Sequence, residues 1–222
     1  MYWNKIPPFV QQIYNRYIWR FDTKKKELYL SFDDGPTPDI TEWVLEQLAK
    51  YDAKASFFLI GDKVRKHPEI VHKIIDAGHS LGNHTQNHLK GRKTETKRYL
   101  KNFLKAQKTI TEYSGYRTDL FRPPYGSITN IQAEKILQTH RIIMMDVISG
   151  DFDTRKSPES CTKKVLKHAQ PGSIVLFHDY EKAWPRLQLA LPKVLEHFSQ
   201  EGYTFKSIVA QPPLMKIERE ML

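Results

Sequence analysis

The chain has 222 residues, of which 40% are apolar and 12% aromatic, and this is enough to bury the core of one globular domain. Its single cysteine, Cys161, excludes an intramolecular disulfide, and its apolar runs are far shorter than the roughly 20 residues that a transmembrane helix needs. The net charge of +10 attracts anionic partners, but the lysines are dispersed and accompany no nucleic-acid-binding motif. Nucleic acid is therefore not expected as a partner, and the oligomeric state is left open.

Residues 1–26 precede the first predicted strand and form an N-terminal segment of their own. Apolar residues between Ile6 and Trp19 recur at helical spacing, which predicts a helix packed on the domain. Prolines and polar residues interrupt every apolar stretch of this segment, so the sequence predicts no signal peptide. A cytoplasmic location is the default expectation, and an exported or cell-surface role remains an alternative.

The main domain is predicted to span residues 27–210, with a C-terminal tail over residues 211–222. Short runs of apolar and β-branched residues alternate in this domain with longer stretches of helical periodicity. The short runs predict seven strands, at residues 27–32, 55–60, 79–82, 120–121, 141–147, 173–177 and 204–208.

The longer stretches predict helices that begin after capping residues such as Asp39, Thr129 and Ser157, and Pro68 is expected to open or interrupt another helix. Strands and helices that alternate in this way indicate parallel strand pairs with helices outside them. We therefore predict a single α/β domain built as a distorted (β/α) barrel of seven or eight strands. The clearest predicted helices lie at residues 40–51, 94–113, 130–139, 158–168 and 185–200.

Two adjacent carboxylates end the first predicted strand. Asp33 and Asp34 are followed by Gly35 and Pro36, which are typical turn residues. On its own this motif fits an ordinary turn. Two side-by-side carboxylates are costly, however, unless a cation or a hydrogen-bond donor separates their charges.

Two histidines follow the third predicted strand at a spacing of four residues, His84 and His88. On a helical turn this spacing places both imidazoles on one face. Two imidazoles and one carboxylate make a common ligand set for a catalytic zinc ion, with a fourth position left for water. The pair alone also fits a polar surface turn.

Three further polar motifs each follow a predicted strand. The carboxyl ends of parallel strands meet at one rim of a barrel, so these motifs are expected to lie near the two described above. Five separate loops that bring acids, bases and metal ligands to one rim indicate an active site. The three motifs are Arg122-Pro123-Pro124-Tyr125-Gly126, Ser149-Gly150-Asp151-Phe152 and Leu176-Phe177-His178.

Together the five motifs resemble the polysaccharide deacetylases that share the NodB homology domain, also called carbohydrate esterase family four. The resemblance extends from about Leu28 to Ile208, and the motifs occur in the family's order. SFDDGP resembles the TFDDGP motif, HTQNH the H-[ST]-x-x-H motif, and RPPYG the R-x-P-x-G motif. SGDF and LFH resemble the fourth and fifth motifs, and the family's fold is a distorted (β/α) barrel.

The resemblance implies a divalent metal, with Zn²⁺ the leading candidate, held by Asp34, His84 and His88. It also implies that Asp33 is the general base and that His178 is the acid that protonates the leaving amine. Residues 27–210 would then form the catalytic domain.

The resemblance assigns the remaining motif residues to supporting roles. Arg122 would orient Asp33, and Asp151 would orient His178 and raise its pKa. The backbone N–H of Tyr125 would face the developing oxyanion. The side chains of Tyr125, Phe152 and Leu176 would form the substrate pocket for the acetyl group.

The fourth motif departs from the family pattern. Many members carry W-x-x-D-x-x-D-W, whereas this chain has Met145 and Phe152 in place of the tryptophans and Ile148 in place of the first aspartate. The expected function is removal of N-acetyl groups from amino sugars in a chitin-like or peptidoglycan-like glycan. An O-acetyl deacetylase and a glycan-binding barrel with little or no turnover remain the alternatives.

Overall fold

A computed structural model of the chain describes residues 3–209 and contains one curled sheet of parallel strands. The sheet order is β5-β4-β3-β2-β1-β7-β6, and β8 pairs with the start of β1. This half-barrel, with helices on its outside, confirms the predicted α/β barrel fold. The strands are β1 (Glu27–Asp33), β2 (Ala55–Leu59), β3 (Ser80–Asn83), β4 (Leu120–Phe121), β5 (Arg141–Ile142), β6 (Val147–Ile148), β7 (Ile174–His178) and β8 (Thr204–Phe205).

The predicted helices of the main domain are present, with ends that differ by a few residues. Two of the expected caps are formed, since Thr129 accepts a hydrogen bond from the backbone N–H of Gln132 and Ser157 accepts one from that of Ser160. Within residues 3–209, no helix is both long and apolar enough to cross a membrane. The helices are α1 (Pro8–Ile13), α2 (Ile40–Ala49), α3 (Gly61–Lys66), α4 (Pro68–Asp76), α5 (Thr96–Ser114), α6 (Asn130–Leu137), α7 (Pro158–His168) and α8 (Trp184–Gln200).

The central strands form the core beneath the site. Phe32 stacks on Phe57 and Phe177 with ring-centroid distances of 5.0 and 6.0 Å, and all three rings are completely buried. Each ring comes from a different strand, and Phe32 and Phe177 are next to the last residues of β1 and β7. Because close-packed interiors resist displacement, this stack fixes the positions of the carboxyl ends of β1 and β7 and of the residues that follow them.

The prediction of one continuous strand over residues 141–147 is wrong. Strand β5 pairs with β4, whereas β6 pairs with β7 at the opposite edge of the sheet. Residues 143–146 therefore cross the opening between the two edges. An uninterrupted apolar run is compatible with both arrangements because apolar periodicity does not report which neighbour a strand pairs with.

The N-terminal segment closes the opening between β5 and β6. The Ile18 N–H donates to the carbonyl of Ile142 at 2.9 Å, and the Met144 N–H donates to the carbonyl of Ile18 at 2.7 Å. Closer to the start of the chain, the Ile6 N–H donates to the carbonyl of Asp146 at 2.8 Å. Backbone groups used in such pairing cannot also form helical hydrogen bonds, so the helix covers only Pro8–Ile13 of the longer stretch predicted. The predicted tail over residues 211–222 lies outside the described residues.

Candidate metal centre and active site

The first motif forms a tight turn at the carboxyl end of β1. Asp34 has a φ of 78°, and the Gly35–Pro36 peptide bond is cis. A Cβ atom at Gly35 would lie 2.2 Å from an oxygen of Asp179, which is far inside van der Waals contact. Glycine is therefore required beside the two aspartates, because the Asp179 carboxylate occupies the space that any other side chain would need.

The prediction that His84 and His88 lie on a helical turn is wrong. They follow β3 in a non-helical turn in which Thr85 and His88 have positive φ values of 66° and 61°. The side chain of Asn83 stabilises this turn by accepting a hydrogen bond from the Thr85 N–H at 2.8 Å. The two imidazole rings still come together, with centroids 5.1 Å apart.

Asp34, His84 and His88 converge into one group whose ligand atoms all lie within 4.8 Å of one another. Oδ1 of Asp34 lies 3.0 Å from Nε2 of His88 and 3.6 Å from Nε2 of His84. Nδ1 of His84 lies 2.7 Å from the carbonyl oxygen of Arg122, which accepts only, so the proton of this ring is on Nδ1. That leaves the lone pair of Nε2 directed at the group, as metal-binding histidines require.

The charge states of these residues also suit a divalent cation. Burial lowers the pKa of His84 and keeps its imidazole neutral, which is the form that binds metals. Burial raises the pKa of Asp34, but the hydrogen bond from His88 and the neighbouring charge of His178 outweigh it and bring the pKa well below its ordinary value. One carboxylate and two imidazoles fit a zinc ion by chemistry and by spacing.

Asp33 lies beside this group and is held by a completely buried arginine. Nη1 of Arg122 donates to Oδ1 of Asp33 at 2.7 Å and to the hydroxyl of Ser31 at 2.9 Å. The rest of the guanidinium donates to the carbonyls of Ile143 and Met144. These bonds fix the orientation of the Asp33 carboxylate, whose Oδ2 lies 3.8 Å from Nε2 of His84.

His178 lies at the end of β7 and is paired with Asp151. Its Nδ1 lies 2.8 Å from Oδ1 of Asp151, and its backbone N–H donates to Oδ2 of the same carboxylate at 2.7 Å. Burial alone lowers the pKa of His178, but the charge and hydrogen bond of Asp151, with the charges of Asp34 and Asp33, raise it to about 9. The imidazole is therefore charged at neutral pH and able to give up a proton.

The three residues expected in the substrate pocket line the same cavity as the metal group, and this cavity has a volume of about 700 Å³. Phe152 lies edge-on to His178 with a centroid distance of 5.1 Å, and Leu176 is nearly buried. Tyr125 has a φ of 60° and a side chain that is 66% exposed, and its hydroxyl lies 3.1 Å from Nδ1 of His88. The tyrosine thus reaches a metal-ligand candidate, a contact that the sequence did not suggest.

Sequence reasoning assigned no definite role to Asp179 or to the N-terminal segment at the site. Asp179 is buried beneath the first motif, where it accepts a hydrogen bond from the Thr41 hydroxyl and donates its N–H to the carbonyl of Asp33. Its position directly after His178 at a strand end was the available signal. Trp3 and Tyr17 of the N-terminal segment line the cavity, and no motif marked them.

Comparison with known proteins identifies the family. A family model for polysaccharide deacetylases matches residues 20–141, more than half of the chain. The chain belongs to the polysaccharide deacetylase family. The matched part carries the whole candidate metal group, which extends from Asp34 to His88.

Two relatives within the family have names that specify different sugars of peptidoglycan. A peptidoglycan N-acetylglucosamine deacetylase, PgdA of Listeria monocytogenes, is 35% identical over 82% of this chain. A peptidoglycan N-acetylmuramic acid deacetylase, PdaC of Bacillus subtilis, is 30% identical over 90% of this chain. The chain spans 38% of the length of the first relative and 41% of the second.

A solved structure shares the fold over nearly its full length. The Bc1960 peptidoglycan N-acetylglucosamine deacetylase, in complex with 4-naphthalen-1-yl-N-oxidanyl-benzamide, has a TM-score of 0.84 and 30% sequence identity. The match covers 91% of this chain and 95% of that one. Peptidoglycan deacetylases are hydrolases of carbon–nitrogen bonds other than peptide bonds, the class expected for this chain from its motifs.

Proposed function

We propose that this chain is a metal-dependent hydrolase that removes N-acetyl groups from amino sugars of a peptidoglycan-like or chitin-like glycan. The observation that carries the proposal is the placement of Asp33 and His178 on the cavity that contains the metal-ligand candidates Asp34, His84 and His88. Amide hydrolysis by an activated water needs one group that accepts a proton and another that returns it. The names of the relatives support N-acetylated peptidoglycan sugars as the substrate class.

Different residues of the chain have different roles in the proposed reaction. A zinc ion held by Asp34, His84 and His88 supplies a lowered water pKa and a Lewis acid when it is bound. Asp33, oriented by Arg122, takes the proton from the attacking water. The backbone N–H of Tyr125 stabilises the negative charge that develops on the amide oxygen.

The last step of the proposed reaction is proton donation to the leaving amine. His178 gives this proton from its Nε2, because Nδ1 faces Asp151. Phe152 and Leu176 contact the acyl methyl group from the apolar side of the cavity. We assign this chemistry to residues 27–210, since every residue named for it lies between Asp33 and His178.

The metal dependence of the reaction is the direct test. We expect acetate release from N-acetylglucosamine oligosaccharides or peptidoglycan fragments, loss of this release with a chelator, and recovery when zinc is added. O-acetylated glycans in the same panel separate N-deacetylation from ester hydrolysis. A zinc-loaded preparation that releases no acetate from any of these glycans would contradict the proposal and favour a glycan-binding role.

The pH dependence of the reaction tests the pairing of His178 with Asp151. Because the protonated imidazole is the acid, kcat/KM should fall as the pH rises through the pKa of His178, which is about 9 without metal. A bound cation offsets the charge of Asp34, so the alkaline limb of the zinc-loaded protein is expected below that value. Asp151→Asn should move the limb to lower pH still.

Asp153→Asn provides the matched control for this experiment, because it neutralises a nearby aspartate that is paired with Arg155 instead. The two variants are compared by pH profiles of kcat/KM at saturating zinc. An alkaline limb that stays in place in Asp151→Asn would show that another group provides the proton.

A further inference from the structure

The cavity at the metal group continues well beyond the residues that the proposed reaction uses. It passes into the opening between β5 and β6, where the N-terminal segment forms its outer wall. We propose that this continuation binds the acyl chain of N-acyl amino sugars whose acyl group is longer than acetyl. The inference rests on the proposed function, since it concerns the acyl group that the same site would release.

The lining of this continuation is apolar. It is formed by Ile6, Val10 and Tyr17 from the N-terminal segment together with Met144, Met145 and Ile148 from the crossing chain and β6. Apart from Asp33, Asp34 and the histidines of the site, the charged residues on the lining, among those described, are Arg92 and Lys182. A surface of this composition favours an alkyl chain over a hydrated sugar.

Two aromatic residues of the N-terminal wall, Tyr17 and Trp19, are largely buried, whereas Trp3 of the same segment is 52% exposed. Tyr17 and Trp19 are 6% and 7% exposed, and Tyr17 stacks on Tyr14 with an interplanar angle of 11°. Tyr17 and Trp19 therefore contribute apolar contact to the cavity, and Trp3 is open to solvent.

The shape and size of the cavity agree with an acyl chain attached at the metal group. Ile148 is paired in register with Leu176, so the apolar surface is continuous with the strand that leads to His178. The volume of about 700 Å³ is that of the whole cavity, which the metal group and the apolar continuation share. Methionine side chains are flexible, so Met144 and Met145 can adapt to chains of different lengths.

The inference predicts a preference among substrates that differ only in acyl length. N-acetyl, N-butanoyl, N-hexanoyl and N-octanoyl glucosamine oligosaccharides are compared by release of the free amine. Each buried methylene is expected to raise kcat/KM by up to about fourfold, so the hexanoyl substrate should exceed the acetyl substrate by at least about tenfold.

Met145→Trp should reduce that ratio by about tenfold or more because the indole fills the continuation, whereas the volume-conserving Met145→Leu should preserve it. Val10→Trp narrows the cavity from the opposite wall and replaces Met145→Trp if that variant does not fold. Folding of each variant is checked by circular dichroism.

Binding of alkyl hydroxamates to the zinc-loaded protein gives a second readout that does not depend on turnover. Calorimetry should show octanohydroxamate binding at least about tenfold more tightly than acetohydroxamate, and Met145→Trp should remove the difference. Release of acetyl groups in preference to every longer acyl group would overturn this inference and leave the proposed function intact. No release from any substrate would overturn the proposed function, and equal hydroxamate affinities would overturn the inference separately.

Discussion

Replacing Asp33 with asparagine is expected to reduce acetate release by about 10²- to 10⁴-fold while the chain retains its zinc. Asparagine keeps the shape of the side chain and can still accept the hydrogen bond from Arg122, but it cannot take a proton from water. The metal-ligand candidates are separate residues, so the ion should remain bound. Zinc content by atomic emission and acetate release are measured on the same preparation.

Asp34→Asn is the matched control because it removes the same charge from the adjacent residue. This variant should lose zinc affinity, since an amide is a poor replacement for the carboxylate that lies 3.0 Å from His88. Loss of zinc from Asp33→Asn would reassign Asp33 as a ligand. Full activity in Asp33→Asn with zinc present would exclude it as the base.

Replacing Arg122 with methionine is expected to lower the free energy of unfolding of the metal-free protein by about 3–5 kcal/mol. The guanidinium is completely buried and is the partner of the nearly buried Asp33 carboxylate. Its removal leaves that carboxylate unpaired, together with the carbonyls of Ile143 and Met144. Chemical denaturation of chelated protein measures the change.

The double variant Arg122→Met with Asp33→Asn separates loss of the charge pair from loss of packing. Neutralising Asp33 removes the unpaired buried charge, so the double variant should be more stable than Arg122→Met alone. Strict additivity of the two single changes would mean that the pair contributes no coupling energy. In that case the arginine would stabilise the fold through its hydrogen bonds to Ser31 and to the carbonyls of Ile143 and Met144.

Features of the fold that depend on residues close together in the sequence, such as helix ends, could be predicted. Capping at Thr129 and Ser157 and the helix start at Pro68 depend on neighbours within a few positions. The division of residues 141–147 between two edges depends on pairing with Ile18 and with distant strands. Pairing of that kind leaves no trace in an apolar run.

For the candidate site, the sequence predicted which residues come together but not the backbone conformation that brings them together. The spacing of His84 and His88 correctly suggested that the rings meet, but it suggested the wrong backbone. Thr85 and His88 have positive φ values although neither is a glycine, so the left-handed turn could not be recognised from the residue types. The contact of the Tyr125 hydroxyl with His88 and the hydrogen bond between Asp179 and Asp33 join different segments of the chain, and no local pattern encodes such contacts.

Backbone hydrogen bonds join Asn4 to β6, Ile6 to the crossing residues 143–146, and Ile18 to both β5 and the crossing residues. The family match begins at residue 20, after all three of these residues. The range that the family model matches and the hydrogen bonds that hold the cavity wall therefore begin at different points in the chain. Part of the wall of the active-site cavity lies before the matched range, so a variant of the chain trimmed to that range would lack this wall.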